Sequence, residues 1–228
     1  KPIQKTLLLL PTYNEAAQIS DLIIEIFNYY HGDILIIDDN SPDGTGTIIQ
    51  TLSEKYPEKV MALHRPKKIG LGSAYRDGIR YGLSHQYSAF LQMDADFSHD
   101  PRYLTEVLKT LEENDMVITS RYTQKKNNRG MAWYRKLLSR CSNACITLFF
   151  GKYMSDWTSG FMAYRSDLFK MIPVHTIQSN HFAFQIEMKY LFLKSDIAIC
   201  EFPIHFYPRR NGMSKLSFRV VIEAIYTL

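Results

Sequence analysis

The sequence predicts an α/β fold, with a doubly wound, mostly parallel β-sheet flanked by helices in a single domain. Two observations support this prediction. Short runs that are apolar at nearly every position alternate, along the first half of the chain, with stretches of helical periodicity. Strands that are apolar throughout are buried on both faces, and parallel sheets bury their strands in this way. The length of 228 residues favours one globular unit.

The expected elements alternate between strand and helix. The first strand covers residues 6–10, and residues 19–30 after it carry an apolar stripe at spacings of three and four. Further strands are expected at residues 34–37, 60–63, 89–93 and 116–119. Beyond about residue 120 the pattern is less regular and rich in aromatic residues, and we expect this part to complete a site. The expected domain covers residues 1–215, and a C-terminal amphipathic helix covers residues 216–228.

The charge balance argues against a nucleic-acid partner. The formal net charge is only +4, without the dense basic stripes of nucleic-acid-binding proteins. Basic residues cluster at 125–140 and 209–215, where they form either solvated faces or contacts for a phosphate-bearing ligand. The three cysteines, Cys141, Cys145 and Cys200, make no disulfide framework, which indicates a reducing compartment.

The apolar runs bear on membrane association. None approaches the roughly 20 residues of a membrane span, so we expect the chain as given to be soluble or peripheral. Apolar residues within 218–228 recur at helical spacing, as in a core-packing helix or the start of a membrane segment. Residues 137–150 have the composition of a membrane-surface helix, with a core helix as the alternative.

Three polar segments follow predicted strands. They are residues 11–15, 38–45 and 94–100. In doubly wound sheets the ligand lies outside the carboxyl ends of the strands, where such loops gather. We therefore expect the three segments to converge on one crevice.

Asp94 and Asp96 end the fourth predicted strand, where alternation would put both carboxylates on the same side. Two carboxylates so placed repel each other unless a cation joins them. Mg²⁺ and Mn²⁺ take a few carboxylate oxygens from a protein and complete their coordination with water and substrate phosphates. The pair predicts a metal site that binds a nucleotide diphosphate, and an acidic surface turn is the alternative.

The other two segments offer groups for a nucleoside. Asp38 and Asp39 open a loop without the glycine–lysine pattern of a phosphate cradle, so we expect a carboxylate there to accept hydrogen bonds from a base or ribose. Residues 41–44 are ordinary turn residues and are given no ligand role. Tyr13 offers an aromatic face, whereas Glu15 alone would be a favourable charge in the first turn of a helix.

These segments together resemble the inverting glycosyltransferases of family 2, which have a GT-A fold, and within them the dolichyl- or polyprenyl-phosphate mannose synthase branch. The similar motifs extend over nearly the whole chain: residues 11–15, 38–45, 93–96, 120–122, Trp133, residues 156–161, 184–187 and 209–215. The resemblance departs from the pattern at Ser98, where some relatives carry a glutamine that ligates the metal.

The resemblance implies roles for individual residues. The nucleobase and ribose would be held by Pro11, Tyr13, Glu15 and Asp39. Mg²⁺ or Mn²⁺ would be carried by Asp94 and Asp96. The diphosphate would be covered by Arg209, Ser214 and Lys215. The acceptor phosphate would be lined by Arg121 and Arg135.

The chemistry of sugar transfer agrees with these roles. Negative charge grows on the diphosphate as it leaves, and Arg209, Lys215 and a cation would stabilise it. A phosphate monoester has a second pKa near 6 and needs no base to act as nucleophile. The resemblance therefore implies transfer from GDP-mannose or a similar donor to a polyprenyl phosphate such as dolichyl or undecaprenyl phosphate, and we expect the enzyme on the cytoplasmic side of a membrane.

Three alternatives remain at this point. A family 2 enzyme could use a UDP-sugar or a saccharide hydroxyl acceptor, and the latter needs a base, for which Asp156 is the candidate. A nucleotidylyltransferase would carry a glycine-rich basic loop after the first strand, unlike residues 11–15. An inactive nucleotide-binding module would not need the acidic pair.

Overall fold

The computed structural model describes residues 2–123, 143–151 and 154–205. Within these residues the strands are β1 (Thr6–Thr12), β2 (Asp33–Asp38), β3 (Val60–His64), β4 (Ala89–Gln92), β5 (Met116–Ser120), β6 (Met162–Arg165) and β7 (Ile199–Pro203). The helices are α1 (Ile19–Phe27), α2 (Thr45–Lys55), α3 (Leu71–Ser84), α4 (Leu104–Glu112), α5 (helical residues 143–150), α6 (Leu168–Met171) and α7 (Ala183–Leu193). Short 3₁₀ turns cover Pro101–Tyr103 and Val174–Thr176.

The strands form one sheet in the order β3-β2-β1-β4-β6-β5-β7. Strand β6 is antiparallel to both of its neighbours, and the other pairs are parallel. The doubly wound, mostly parallel sheet is therefore confirmed, and all five predicted strands are present. Strands β6 and β7 were not expected.

Both faces of the sheet are buried, as the apolar strands predicted. Leu7 and Leu9 of β1 point into a core formed with α3 and α7. Leu8 and Leu10 point to the opposite face, where α1, α2 and α4 pack. Alternate side chains of one strand thus supply two separate cores, so a strand without polar positions is required here.

Helix α3 approaches the sheet closely at two glycines. A Cβ added at Gly78 would lie 2.6 Å from Ile37 Cδ1, and one at Gly82 would lie 2.2 Å from Phe90 Cε1. Only glycine leaves room for these neighbours. This contact fixes the helix whose first turn borders the cleft described below.

Two further expectations concern the surface and the C-terminus. Among the described residues, no helix is long and apolar enough to cross a membrane. Cys145 and Cys200 are free thiols. The expected helix over 216–228 and the stretch 137–142 lie outside the described residues, so their predicted roles stay predictions.

Candidate active site

A cleft opens at the carboxyl ends of β1, β2 and β4, which are adjacent in the sheet. All three predicted segments contribute to its lining, through Pro11, Thr12, Tyr13, Glu15, Asp39, Asp94, Ala95 and Asp96. The predicted convergence is therefore confirmed. It follows from the parallel register, which places Thr12 of β1 beside Asp38 of β2.

The first segment is fastened to the second by backbone donors. Asn14, which has a positive φ of 62°, donates its N–H to Ser41 Oγ at 3.0 Å. Glu15 donates its N–H to Thr45 Oγ1 at 2.9 Å. The turn residues therefore hold the loop that presents Tyr13 and Glu15 to the cleft, although they do not themselves line it.

The adjacent carboxylates Asp38 and Asp39 serve different purposes. Asp38 accepts the N–H of Ser41 at 3.2 Å and its hydroxyl at 2.5 Å, and it is not among the cleft-lining residues. Asp38 therefore stabilises the turn that follows β2. It does not line the cleft, although the sequence predicted it as a ligand-binding residue. Asp39 does line the cleft, where it pairs with buried Arg65 at 2.6 Å. It also accepts the N–H of Gly70 at 2.9 Å.

Asp94 and Asp96 both line the cleft, but not for the reason expected from the sequence. Strand β4 ends at Gln92, so the pair lies in a bent loop and strand alternation does not orient it. The loop turns at Phe97, whose φ is 60°. Asp94 donates its N–H to His99 Nδ1 at 3.1 Å, and Asp96 Oδ1 accepts the N–H of Ser98 at 3.0 Å.

The oxygen donors of this loop suit a hard divalent cation. Asp94 and Asp96 offer carboxylates, and the fully buried Ser98 Oγ has no hydrogen-bond partner among the described residues. In the described part of the chain, no group of three or more His, Cys, Asp or Glu side chains could hold a metal by itself. Mg²⁺ and Mn²⁺ often take only one or two carboxylates and complete their coordination with substrate phosphates and water, so the donor set fits them.

Two parts of the cleft were missed in the sequence. After β3, Lys68 and Gly70 line it, and Lys68 Nζ lies 3.5 Å from the centroid of the Tyr13 ring. The sequence feature that could have indicated this part is the basic, glycine-containing run at residues 67–70, between a strand and a helix. His181 and Phe182, which directly precede α7, complete the lining of the cleft.

The segment before α7 is held by distant partners. Arg76 of α3 donates to the carbonyl of Ser179 at 2.5 Å, across 103 positions of sequence. Glu187 accepts the N–H groups of Gln178 and Ser179, both at 2.8 Å. Contacts between residues so far apart leave no local sequence pattern, so this wall of the cleft could not be inferred from the sequence.

Arg121 lies just after β5 and forms a buried ion pair with Asp156. Its Nε and Nη2 donate to the two carboxylate oxygens at 2.7 and 2.8 Å, and Nη2 also donates to Thr158 at 2.7 Å. Burial raises the pKa of Asp156, but the guanidinium of Arg121 more than offsets this and lowers that pKa to about 2. A fully buried carboxylate whose two oxygens both accept from Arg121 is a weak base, which disfavours Asp156 as the general base of the hydroxyl-acceptor alternative.

Lys189 of α7 binds the loop that contains Asp156, residues 156–160. It is fully buried, and its Nζ donates to the carbonyls of Trp157 at 2.9 Å and Ser159 at 2.7 Å. Burial lowers the pKa of Lys189 to about 7, although the carboxylate of Asp156 opposes the shift. The loop of residues 156–160 is therefore fixed, with Gly160 close to Asp94. Four predicted site residues lie outside the described residues: Arg135, Arg209, Ser214 and Lys215.

Known proteins share this sequence pattern and fold. The sequence model of glycosyl transferase family 2 matches residues 8–172. A polyprenol monophosphomannose synthase from Mycolicibacterium smegmatis is 35% identical over 231 residues, which cover 99% of this chain and 86% of that protein. An undecaprenyl-phosphate mannosyltransferase from Micrococcus luteus is 35% identical over 222 residues, covering 97% and 91%.

Solved structures agree in fold. Glucosyl-3-phosphoglycerate synthase from Mycobacterium tuberculosis, in complex with Mn²⁺, UDP and glucosyl-3-phosphoglycerate, superposes with a TM-score of 0.69. The match covers 98% of this chain and 78% of that one at 17% identity. This likeness confirms the expected GT-A fold. With the family match over most of its length, the chain belongs to glycosyl transferase family 2.

Proposed function

We propose that this chain transfers mannose from GDP-mannose to a polyprenyl phosphate, with inversion at the anomeric carbon. Two relatives at 35% identity over nearly the whole chain are named as enzymes of polyprenyl-phosphate mannosyl transfer. The observation that supports the proposal most directly is a cleft in which the carboxylates of Asp94 and Asp96 meet the loop of Tyr13 and Glu15. We assign this catalytic domain to residues 1–215.

The donor site divides into a nucleoside end and a diphosphate end. Pro11, Tyr13, Glu15 and Asp39 would hold the base and ribose, because all four line the cleft. Asp39 is already oriented by Arg65 and Gly70, so it needs no rearrangement to accept a hydroxyl. The basic segment 209–215 supplies the cationic contacts in this proposal, through Arg209, Ser214 and Lys215.

The metal would be Mg²⁺ or Mn²⁺, held by Asp94 and Asp96. Glucosyl-3-phosphoglycerate synthase was solved with either ion together with UDP. Such an ion neutralises negative charge that grows on a departing diphosphate. The chain would contribute a fixed loop, in which the N–H of Ser98 orients the Asp96 carboxylate and His99 Nδ1 accepts the backbone N–H of Asp94.

The acceptor would be a phosphate because Asp156, the base expected for a hydroxyl acceptor, is already engaged. Asp156 is occupied by Arg121 and has a pKa of about 2. A phosphate monoester is largely dianionic at neutral pH and needs only positioning by cations. We assign this positioning to Arg121, which would share its donors between Asp156 and the phosphate, and to Arg135.

A lipid acceptor requires contact with a membrane surface. Leu148 and Phe149 of α5 are exposed to 83% and 61%, which is unusual for large apolar side chains side by side. We propose that they contact the bilayer and that the enzyme acts at the cytoplasmic side, as a peripheral protein or through a membrane anchor outside residues 1–228.

One transfer assay tests the proposal. With GDP-mannose as donor, we compare a polyprenyl phosphate, the matching polyprenol and a soluble oligosaccharide, and repeat the first acceptor with UDP-glucose. The proposal expects efficient transfer only from GDP-mannose to the polyprenyl phosphate. Transfer to either phosphate-free acceptor would overturn the acceptor assignment, and preference for UDP-glucose would overturn the donor assignment.

A further inference from the structure

Gln185 of α7 carries a buried amide that the described residues leave without a hydrogen bond. The residue is only 2% exposed. Neither Nε2 nor Oε1 has a hydrogen-bond partner among the residues that the structure describes. Buried amides are nearly always hydrogen-bonded, because an unpaired one loses its bonds to water without replacement. An amide that is unsatisfied at both ends therefore requires an explanation.

The amide lies near Asp94, a residue that lines the cleft. A Cβ added at Gly160 would lie 3.4 Å from Asp94 Oδ1, 3.5 Å from Gln185 Nε2 and 3.7 Å from His99 Cε1. Three polar side chains thus surround a position where the chain carries no side chain. The backbone at Gly160 is held in place because Lys189 binds the carbonyl of the preceding residue, Ser159.

The chemistry of these groups selects the kind of ligand. A primary amide both donates and accepts, and Asp94 is a carboxylate. A phosphate has only acceptors at neutral pH, so it would leave Gln185 Oε1 unpaired and would be repelled by Asp94. A sugar hydroxyl donates and accepts, and two neighbouring hydroxyls can satisfy both ends of an amide.

We propose that Gln185 and the space beside Gly160 form the subsite for the hexose of the donor, with Gln185 reading its hydroxyl groups. This inference rests on the proposed function, which places a sugar nucleotide on Asp94 and Asp96. The subsite adjoins Asp94, where the bond between sugar and diphosphate has to lie. Gln185 thereby becomes a determinant of sugar recognition, separate from the residues for base and metal.

The test compares a nucleotide with its sugar nucleotide, in the absence of acceptor. Dissociation constants for GDP and GDP-mannose are measured by calorimetry with saturating Mn²⁺, on the wild type, Gln185→Met and Gly160→Ala. We expect both variants to bind GDP within about twofold of the wild type and GDP-mannose roughly tenfold more weakly, the loss of one or two hydrogen bonds. UDP and UDP-glucose replace this pair if the transfer assay favours them.

The matched control is Gln92→Met. Gln92 is also fully buried and also has one unpaired amide atom, but its Nε2 donates to the Tyr164 hydroxyl at 2.6 Å, and it is not among the side chains nearest Gly160. This variant should bind both ligands as the wild type does. Equal weakening of GDP and GDP-mannose in Gln185→Met would overturn the proposal, because the amide would then serve the metal or the scaffold. Unchanged binding of both would overturn it as well.

Two features keep the test decisive. If Gln185→Met unfolds, Gly160→Ala gives the same readout, because its added methyl group fills the subsite without removing a polar group. Wild-type binding of GDP-mannose no tighter than that of GDP, combined with unchanged binding by Gly160→Ala, would then refute the subsite. Since no acceptor is present, a failure of polyprenyl-phosphate transfer leaves this measurement intact, so the two hypotheses fail separately.

Discussion

At the scale of single residues, identical side chains have roles that their position in the fold decides. Asp38 and Asp39 are neighbours in the sequence, yet one closes a turn and the other lines the cleft. The sequence identified both as acidic loop residues but could not tell them apart. The difference arises because side chains of successive residues at a strand end point in opposite directions.

Asp96→Asn should abolish metal-dependent turnover while the fold persists. The substitution keeps the size of the side chain but removes one of the two carboxylates, so we expect kcat to fall roughly a hundredfold or more, with little change in thermal stability. Asp94→Asn should behave alike. Asp167→Asn is the control, because Asp167 is a surface partner of Lys170 outside the cleft. Transfer near the wild-type rate by Asp96→Asn at saturating Mn²⁺ would refute the metal assignment.

The pair of Asp156 and Arg121 should make stability depend on pH in the acid range. The folded pKa of Asp156, about 2, lies below the ordinary 3.8, so its contribution is complete above pH 3.8 and is lost as the pH falls from 3.8 to 2. The shift corresponds to about 2 kcal/mol. Asp156→Asn should cost about 3–5 kcal/mol at pH 7, since it leaves Arg121 buried without its anion.

Urea unfolding at several pH values measures this effect. The difference in free energy of unfolding between wild type and Asp156→Asn should shrink below pH 3.8. Asp167→Asn, which changes an exposed carboxylate, should show a much smaller difference at every pH. A wild-type and an Asp156→Asn curve that run parallel down to pH 2 would contradict the assigned pairing.

At the scale of elements, α3 depends on glycine for its distance from the sheet. A Cβ at Gly82 would lie 2.2 Å from Phe90 Cε1, so Gly82→Ala forces Phe90 or the helix to move. Alanine favours helices, but overpacking a buried contact typically costs about 1–3 kcal/mol, and we expect destabilisation in that range. Arg80→Ala, on the exposed side of the same helix, should change stability by less than about 0.5 kcal/mol. A more stable Gly82→Ala would show that the contact is loose.

The elements also show which signals a sequence carries. The five predicted strands were found because each is a short, almost wholly apolar run. Strand β6 has only four residues and ends in Arg165, and β7 carries the half-buried Glu201, so neither has that signature. Their places in the sheet come from pairing with β5, which is far away in the sequence.

At the scale of the whole molecule, the cleft joins parts that are distant along the chain. The loops after β1, β2 and β4 were predicted to converge because parallel strands end at one edge of the sheet. The opposite wall, before α7, depends on Arg76 and Glu187, and such tertiary contacts have no local pattern. The acidic pair was predicted correctly as a cleft feature, but its geometry comes from a bent loop and not from a strand.

Because the donor would contact several of these parts at once, it should stabilise the entire fold. A ligand at 100 times its Kd adds about 2.7 kcal/mol to the free energy of unfolding, which for a chain of this size raises Tm by roughly 5–10 °C. We expect GDP with Mn²⁺ to produce this shift in a thermal unfolding experiment, GDP without metal to produce much less, and UDP with Mn²⁺ to produce less than GDP. Asp94→Asn should lose the part that needs the metal, whereas Asp167→Asn should keep it. If the Tm shift is equal with and without Mn²⁺, the acidic pair does not contribute to donor binding through a metal. If UDP gives a larger Tm shift than GDP, the nucleobase of the donor is uracil and not guanine.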